Sequence, residues 1–553
     1  MKRKRKLKVG LLMDSFDVPY WAFKMIEKIK QSTHSQISLI ILNQTKITKT
    51  DTSSKIKNNR DYFLYKIYTK LENRTYHPDI DALQLTNTAK LLENIDQLGV
   101  LPKLTKYSDR INDNDVKAIR KYHLDVIIRL GFRILKGGIL DSAKCGIWSF
   151  HHADNNVNRG GPAGFWEVFQ QDPVTGSILQ ILNEDLDGGQ IIAKSFSTTD
   201  STFVKRNQNN YYMKSLSFVP RKLKELHDVG KAEFLKRVKV QNEGLVFYDH
   251  PLYGKPKNWQ FLKLGLFNFR KLTSRKFRNL FYFDQWFLLF DIKDDVSKSL
   301  WKYKKILPPK DRFWADPHVI VRDEKYFIFI EEYIYRTRQG HIALIEMDKK
   351  GNYQYKGKIL EKPYHLSYPF VFEFNKNFYM IPESESNKKI EIFKCINFPN
   401  KWEFYGNLMS DVNAVDSTIL FHKNKWWLFT GIRENYGASS SDELFLFYSD
   451  NPISNRWISH PQNPIISDVR KARPGGKIFS HQKKLYRPSQ DGSYYYGYGI
   501  NINRIKKINE FEYEEEVVSK ILPKWDDKIT RTHTFTYIDG LSIMDGKFRR
   551  TRF

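Results

Sequence analysis

Apolar residues in the first 240 positions occur in short runs separated by segments with helical spacing. Three continuously apolar runs indicate buried parallel strands: LKVGLLMD (7–14), QISLIILN (36–43) and LDVIIRLG (124–131). Residues 16–29 show helical spacing and begin near Pro19, and GFRIL (131–135) is predicted to start another helix. Strands that alternate with helices predict a doubly wound α/β sheet, whose ligands bind beyond the carboxyl ends of the strands.

From about residue 313 onward the pattern changes to short aromatic strands at regular spacing. Five segments share one outline, which is a strand, a polar turn and a second strand, and their leading residues are Asp316, Tyr368, Asp416, Arg473 and His533. Successive leading residues are 52, 48, 57 and 60 positions apart. A repeat of this length built from β-hairpins predicts an all-β, five-bladed propeller. A two-sheet sandwich and an incomplete ring are the alternatives.

These two patterns divide the 553 residues into three regions. We predict a doubly wound α/β domain at residues 1–240, a basic aromatic connector at 241–312 and a propeller-like domain at 313–553. Aromatic residues make up 15% of the chain, which favours β-rich packing over helical bundles.

Part of the net charge of +29 is concentrated in the connector. No acidic residue lies between Asp249 and Asp284, whereas Lys and Arg are interleaved there with Leu, Phe and Trp. This composition predicts peripheral contact with an anionic membrane surface through residues 255–283. A basic linker that packs its apolar side on a neighbouring domain is an equal alternative. Nucleic acid is not expected as a partner, because no base-reading motif accompanies the charge.

The chain contains two cysteines, which argues against a disulfide scaffold and a cysteine-rich zinc site. The basic amino terminus lacks the apolar core of a signal peptide. No window approaches the ~18 apolar residues that a membrane span needs. These features predict a cytoplasmic protein.

Two histidines and an aspartate are the candidate chemistry of the first region. His151 and His152 follow a predicted strand, at the edge where a doubly wound sheet binds ligands. Asp187 lies in the turn LDGGQ, whose paired glycines allow close approach of a flat ligand to the backbone. A histidine with an aspartate can act as a general base and an electrostatic anchor. The alternative is that the histidine only satisfies a loop carbonyl.

The order and spacing of several motifs add a resemblance. Arg159 and Gly160 begin eight residues after His151, and Asp187 lies 36 residues after it. With these motifs, residues of about 7–240 resemble the folate-dependent formyltransferases, which include methionyl-tRNA and sugar-nucleotide N-formyltransferases. The resemblance implies a formyltransferase-like fold for this region.

The same resemblance implies that 10-formyltetrahydrofolate is the cofactor and formyl donor. Its candidate binding residues are Gly131, Arg133, Leu135 and Asp185. No metal is required by the implied reaction. Methionyl-tRNA is disfavoured as the acceptor, because no separate tRNA-binding tail follows the domain.

The implied reaction is attack of an acceptor amine on the formyl carbon. His151 would stabilise the oxyanion, and Asp187 would favour the charged imidazole and help to take the amine proton. Ser149 stands where the family has its catalytic Asn, and loss of an oxyanion donor costs on the order of 100- to 1,000-fold in rate. The candidate substrate-binding residues are His152, Asn155 and Arg159, and either of the first two could replace the missing donor.

The leading residues of the repeats are the candidate chemistry of the second half. Strands next to a propeller axis bring their first residues to one mouth of the channel, so Asp316 and Asp416 are predicted to face each other there. Their candidate neighbours at a sugar site are Glu332, Glu383, Arg473, Gln490 and His533. Glycoside chemistry uses paired carboxylates across a sugar-sized gap. Hydrogen bonding between blades at strand starts is the structural alternative.

The repeat region resembles the five-bladed fold of family 43 glycoside hydrolases. It is more similar to the amino-terminal domain of plant glucosamine inositolphosphorylceramide transferases. The hydrolases carry a general-acid Glu on the fourth blade, whereas the corresponding segment KARPGGKIFSHQKKLYRPS has none. Glycan binding or a transferase role is therefore at least as well supported as hydrolysis.

The two resemblances together predict an enzyme of glycan biosynthesis. We predict an N-formyltransferase that moves a formyl group from 10-formyltetrahydrofolate to an amino sugar of a surface-glycan precursor. The alternative is a glycosyltransferase-associated or glycan-binding propeller protein with an inactive formyltransferase-like scaffold. The presence of Ser149 in place of the family's Asn favours this alternative.

Overall fold

The computed structural model describes residues 4–45, 60–184, 188–244, 247–263, 265–266, 270, 273 and 281–551. The chain forms two compact units. The first comprises Met1–Ser195, Thr199–Phe269 and Asn435–Ala438, and the second comprises Phe196–Thr198, Arg270–Glu434 and Ser439–Phe553. Among the described helices, none has both the length and the apolar character that crossing a bilayer requires.

The first unit contains strands and helices in alternation. Its strands are β1 (Leu7–Met13), β2 (Asp17–Pro19), β3 (Ser35–Asn43), β4 (Leu85–Asn87), β5 (Gln97–Val100), β6 (Lys103–Leu104), β7 (Ser108–Arg110), β8 (Val126–Arg129), β9 (Ile134–Lys136), β10 (Ile147–His151), β11 (Arg159–Gly160), β12 (Val174–Ile181), β13 (Gln190–Thr198) and β14 (Leu252–Tyr253). Its helices are α1 (Tyr20–Gln31), α2 (Phe63–Thr75), α3 (Asp113–Arg120), α4 (Phe165–Gln170), α5 (Val204–Ser215), α6 (Phe218–Val229) and α7 (Lys231–Gln241).

A seven-stranded mixed sheet of described residues, in the order β13–β12–β10–β8–β1–β3–β5, forms the centre of this unit. Strands β1, β3, β5, β8 and β10 run parallel to one another, and β12 runs antiparallel to β10. Leu11 packs on one face in a core that includes α1 and α6, and Leu12 packs on the other face with α3. Helices therefore cover both faces, as predicted for a doubly wound sheet.

Local pattern and structure agree for the three apolar runs, which form β1, β3 and β8. The helix predicted from Gly131 is wrong, because Ile134–Lys136 is a short strand that pairs with β7. Phe132 adopts a left-handed φ of 63°, and its backbone N–H donates to Asp14 over 2.9 Å. The next residue, Arg133, is held by Asp109. These tertiary contacts override the local helical preference.

From residue 282 onward, the described part of the second unit is all-β apart from short 3₁₀ turns. Its strands are β15 (Tyr282–Ile292), β16 (Lys304–Ile306), β17 (Arg312–Arg322), β18 (Lys325–Ile334), β19 (Gln339–Asp348), β20 (Tyr353–Leu360), β21 (Ser367–Phe374), β22 (Asn377–Glu383), β23 (Lys389–Asn397), β24 (Lys401–Ser410), β25 (Ala414–His422), β26 (Lys425–Ile432), β27 (Glu443–Ser449), β28 (Ile458–Ser459), β29 (Ile466–Ser467), β30 (Phe479–His481), β31 (Lys484–Asp491), β32 (Gly499–Ile508), β33 (Tyr513–Ile521), β34 (Ile529–Arg531), β35 (Phe535–Ile538) and β36 (Leu541–Thr551).

These strands form five antiparallel sheets in the part of the chain that the structure describes. Four begin with β17, β21, β25 and β30, and the fifth joins β15 and β16 to β34, β35 and β36. Strand β17 lies beside β21 and β35, β21 lies beside β25, and β30 lies beside β35. The unit is therefore propeller-like, and its last sheet combines strands from both ends of the unit.

Three sheets repeat one backbone irregularity at the predicted leading residues. Asp316, Tyr368 and Asp416 have φ angles of 51°, 43° and 51°, and each lies in a β-bulge of the first strand of its sheet. A non-glycine residue in this conformation costs roughly 1–3 kcal/mol and bends the strand. The repeated cost indicates that these three positions serve more than strand pairing.

The predicted connector does not form one separate element. Leu252–Tyr253 pairs with Arg159–Gly160 in the first unit, and Tyr282–Ile292 pairs along its length with β36 in the second unit. Much of the basic stretch predicted to contact membrane, namely residues 264, 267–269, 271–272 and 274–280, lies outside the described residues.

Candidate functional site

In the second unit, the side chains of two acidic residues and one arginine contact one another. Asp416 comes from the bulge in β25, Glu383 from the end of β22, and Arg473 from the segment that precedes β30. The Nε of Arg473 donates to Asp416 Oδ2 over 2.5 Å, and its Nη2 donates to Glu383 Oε2 over 3.2 Å. Gln490 Nε2 also donates to Asp416 Oδ2, over 2.7 Å. The three charged side chains are only 2–14% exposed.

The two carboxyl groups of this cluster have opposite protonation preferences. Burial raises the pKa of Glu383 well above its usual value, and the neighbouring Asp416 raises it further. Burial also acts to raise the pKa of Asp416, but the charge of Arg473 and hydrogen bonds from Glu383 and Arg473 lower it overall. The raised pKa favours the protonated form of Glu383, and the lowered pKa favours the carboxylate form of Asp416, which balances the charge of Arg473. The site offers one proton donor and one acceptor side by side.

A second carboxylate pair encloses His533. Its Nδ1 lies 2.7 Å from Asp545 Oδ2, and its Nε2 lies 3.3 Å from Asp316 Oδ1. Burial alone would lower the pKa of His533, but Asp545 and Asp316 raise it to about 9. Burial raises the pKa of Asp316 to about 7, although the charge of His533 opposes this.

Asp316 also joins neighbouring sheets. Its Oδ1 accepts a hydrogen bond of 2.6 Å from the Thr534 hydroxyl, and its Oδ2 accepts one of 3.3 Å from the backbone N–H of Tyr368. The structural role considered for the leading aspartates is therefore present at Asp316. Asp416, whose partners are Arg473, Gln490 and Glu383, is the stronger candidate for chemistry.

Asp316, His533 and Asp545 are also the one cluster of described residues whose ligand atoms, all within 4.8 Å of one another, could hold a metal ion. The oxygens of Asp545 already accept hydrogen bonds of 2.8–3.2 Å from the backbone N–H groups of His533, Thr534 and Asp316. Because these oxygens and Asp316 Oδ1 are already hydrogen-bonded, the cluster fits a relay around an imidazolium better than a metal site.

One of three consecutive exposed tyrosines, Tyr496, contacts both clusters. Tyr494, Tyr495 and Tyr496 are 47%, 40% and 43% exposed. The ring of Tyr496 lies 5.1 Å from that of His533, and the guanidinium of Arg473 lies 5.3 Å from the centre of the Tyr496 ring. We call these three residues the tyrosine lip. The sequence analysis missed it, although the run Tyr-Tyr-Tyr-Gly-Tyr was a visible signal.

Glu332 was predicted to lie near the leading residues, but the adjacent residue Glu331 lies there instead. Glu332 instead accepts hydrogen bonds from Arg312, Trp314 and Tyr355. Glu331 lies 3.3 Å from His365 and interacts electrostatically with Asp316. Successive side chains of a strand point to opposite faces, so the prediction was displaced by one residue.

In the first unit, the predicted catalytic residues Ser149 and His151 contact other groups of the protein. Ser149 is buried, and its Oγ accepts a hydrogen bond of 2.8 Å from Arg129 Nη1. The Nε2 of His151 lies 3.0 Å from the carbonyl oxygen of Asn158, which is the loop-carbonyl alternative. Asp185 and Asp187 lie outside the described residues, so the pairing of His151 with Asp187 stays a prediction.

The three predicted substrate-binding residues of this unit, His152, Asn155 and Arg159, also contact other groups of the protein. The ring of His152 lies 3.9 Å from that of Tyr212 and 5.3 Å from that of Trp21, and burial lowers its pKa to about 3. Asn155 is buried and donates to Gln180 Oε1 over 3.1 Å. Arg159 Nε donates to the carbonyl of Asn155 over 2.9 Å. A neutral, half-buried His152 that packs on these rings is a packing residue in this arrangement.

The predicted cofactor residues have packing roles. A Cβ on Gly131 would lie 2.5 Å from the backbone nitrogen of Asp14, so this position requires glycine. Arg133 donates to Asp109 over 2.8 Å, and Leu135 is buried in the sheet core.

Residues 306–532 match the family described as glucosamine inositolphosphorylceramide transferase 1, N-terminal. The chain is 33% identical over 210 residues to glucosamine inositolphosphorylceramide transferase 1 of Oryza sativa subsp. japonica, covering 37% of this chain and 28% of the rice protein. It is 34% identical over 206 residues to the Arabidopsis thaliana protein of the same name, covering 37% and 27%. The chain therefore spans less than a third of the length of these curated relatives.

The solved structures that match part of this chain include several glycoside hydrolases. CoXyl43, a family 43 β-xylosidase/α-arabinofuranosidase from a compost microbial metagenome, is 12% identical with a TM-score of 0.32, covering 43% of this chain and 91% of that chain. The family 62 α-L-arabinofuranosidase of Coprinopsis cinerea is 12% identical with a TM-score of 0.32, covering 41% and 77%. The propeller-like description rests on the sheet topology given above.

Proposed function

We propose that the second unit binds a sugar at the site formed by Asp416, Glu383, Arg473 and the tyrosine lip, in a glycosyltransferase-associated role. The observation that carries this proposal is the buried cluster of Asp416, Glu383 and Arg473. Replacing such a cluster by apolar residues is often neutral or stabilising, so stability alone does not account for it. Carboxyl groups whose pKa values are shifted in opposite directions by burial and a specific charge partner are typical of functional sites.

The side chains of this cluster complement the hydroxyl groups of a sugar. Neutral Glu383 can donate a hydrogen bond, ionised Asp416 can accept one, and Arg473 can donate several. The exposed faces of the tyrosine lip fit the apolar C–H face of a pyranose ring. Ligand sites commonly combine aromatic walls with a few convergent polar groups in this way.

Binding or transfer fits the carboxyl geometry better than two-carboxylate hydrolysis. Glycosidases separate their two carboxyl groups by roughly 5–9.5 Å to flank the scissile bond. Arg473 Nη2 donates to Glu383 Oε2 over 3.2 Å and to Asp416 Oδ1 over 3.3 Å, so a guanidinium nitrogen, and not a gap for a glycosidic bond, lies between the two carboxyl groups. In a transfer reaction Asp416 would accept the proton of the attacking hydroxyl, and Glu383 would donate a proton to the leaving group.

The similarity to glucosamine inositolphosphorylceramide transferases supports a sugar as the ligand. Because the chain spans only 28% of the rice relative, we propose a sugar-bearing ligand class and not the relative's whole activity. Amino sugars, nucleotide sugars and glycosylated inositol phosphates are the ligands to test first.

The test is calorimetric binding of this panel to the full chain. Glu383→Gln, Asp416→Asn and Tyr496→Ala are each expected to weaken binding at least ~10-fold, which corresponds to about 1.4 kcal/mol. His151→Ala is the control and should bind as the unsubstituted protein does. The proposal fails if no member of the panel binds, or if only the His151 variant loses binding.

Formyl transfer by the first unit stays a prediction. It requires that 10-formyltetrahydrofolate binds near His151 and that an amino sugar accepts the formyl group. Calorimetry with the folate, followed by turnover assays of the His151→Ala variant, addresses it separately from sugar binding. Absence of folate binding would leave the first unit as a scaffold.

A further inference from the structure

The helix α2 carries a stripe of large apolar side chains that are exposed to solvent. Phe63, Ile67 and Leu71 are 56%, 40% and 54% exposed. Residues four positions apart lie above one another on the same face of a helix. The opposite face of α2 points inward and includes the buried Glu72, which accepts a hydrogen bond of 2.9 Å from the Tyr68 hydroxyl.

A second helical segment, residues 258–263, shows the same division. Trp259 and Leu262, with Leu266 just beyond, are 64%, 54% and 68% exposed and recur at helical spacing. The side chain of Asn258 forms hydrogen bonds that connect this segment to the start of α2. Its Oδ1 accepts from the backbone N–H of Leu64 over 3.0 Å, and its Nδ2 donates to the carbonyl of Arg60 over 2.7 Å.

Both helical segments pack inward on one aromatic core. Tyr68 of α2 and Phe261 of the second segment lie 5.2 and 5.3 Å from the ring of Phe169, measured between ring centroids. The two rings also lie 5.5 Å from each other. Because the inward sides share this core and Asn258 joins the two backbones, the two helical segments lie next to each other. We call the six exposed apolar residues of the two segments the apolar surface.

Basic side chains border the apolar surface. Lys66, Lys70 and Arg74 recur every four residues along α2 and are exposed. Lys255, Lys257 and Lys263 are exposed around the second segment. The nearby acidic side chain of Glu72 is turned inward, and the sequence has no acidic residue between Asp249 and Asp284.

We propose that the apolar surface docks on an anionic membrane surface. Its bulky side chains would enter the headgroup region, and the bordering lysines and arginine would interact with lipid phosphates. Soluble proteins seldom expose large contiguous apolar patches without a partner, and the surrounding positive charge selects an anionic one. This inference rests on residues of the first unit and is independent of the proposed sugar site.

The test is co-sedimentation of the full chain with vesicles of phosphatidylcholine, with and without about 30 mol% phosphatidylserine. We expect binding only to the anionic vesicles, and weaker binding as salt rises, because salt screens charges. Lys70→Ala should weaken binding about fivefold, since a basic residue near the surface contributes about that factor. Leu262→Glu should weaken it at least ~10-fold.

Leu85→Glu is the matched control, because Leu85 is 70% exposed in the same unit and lies outside the apolar surface. Its binding should equal that of the unsubstituted protein, and circular dichroism should show that all variants are folded. The proposal is overturned if anionic vesicles do not bind, if neutral vesicles bind equally, or if Leu262→Glu has no effect. Concentration-dependent dimerisation that Leu262→Glu abolishes, without vesicle binding, would instead assign the surface to a second copy.

Discussion

Replacing Arg473 with methionine removes the guanidinium group that contacts both Asp416 and Glu383. The methionine side chain keeps much of the apolar volume but supplies neither hydrogen bonds nor charge. Asp416, whose side chain is 2% exposed, then lacks this counter-charge. The raised pKa of Glu383 favours its neutral form, so one negative charge and not two is expected to be left uncompensated.

The expected magnitude follows from this charge count. Removing one partner of a buried ion pair costs about 3–5 kcal/mol of the free energy of unfolding. In a domain of more than ~150 residues, each kcal/mol moves Tm by about 2–4 °C. Arg473→Met should therefore lower the Tm of the second unit by roughly 6–20 °C.

Scanning calorimetry of the full chain measures this change. The control is Lys425→Met, which removes an exposed ion pair of 2.7 Å with Asp450 in the same sheet as Asp416. An exposed pair contributes about 0–1 kcal/mol, so this variant should melt within a few degrees of the unsubstituted protein.

A double variant separates the charge from the lost packing. Adding Asp416→Asn to Arg473→Met removes the uncompensated carboxylate, and it should recover more than half of the lost stability. Equal melting of Arg473→Met and Lys425→Met would refute the reasoning. So would a double variant less stable than Arg473→Met alone, because the carboxylate would then not be the source of the cost.

Three further predictions concern protonation and close packing. The pKa of His533 rises from 6.5 to about 9 on folding, so its stabilising contribution is complete below pH 6.5 and is lost as pH rises through 9. Denaturation titrations should show His533→Gln less stable than the unsubstituted protein at pH 6, with the difference shrinking towards pH 10. Burial raises the pKa of Glu167 from 4.5 to about 7, so its ionisation lowers the free energy of unfolding between these pH values. Relative to the unsubstituted protein, Glu167→Gln should gain about 3 kcal/mol between pH 4 and pH 8 in the same titrations, and an unchanged difference would contradict this. Gly131→Ala should cost about 1–3 kcal/mol, because its Cβ would lie 2.5 Å from the Asp14 backbone, whereas Gly138→Ala has its nearest neighbour at 3.6 Å and should be nearly neutral in thermal unfolding.

The amino-acid sequence by itself determined the local elements and their repetition. Continuous apolar runs marked β1, β3 and β8, because a strand covered on both faces needs apolar residues at every position. The hairpin repeat placed Asp316, Tyr368 and Asp416 at equivalent positions, where the structure finds the same left-handed bulge. Local periodicity reports which faces of an element are buried, because apolar residues recur wherever the element contacts the core.

Only the tertiary structure decided which side chains meet. Glu383 comes from a second strand and reaches Asp416 and Arg473 across sheet boundaries, a contact that no periodicity within one sheet records. Glu331 and not Glu332 lies near Asp316, because strand pairing sets which face each neighbour points to. His152 occupies a predicted site position, but the rings of Trp21 and Tyr212 pack against it. These two rings come from helices that are distant in the sequence. Contacts between distant segments depend on packing of whole elements, and that information is absent from local sequence patterns.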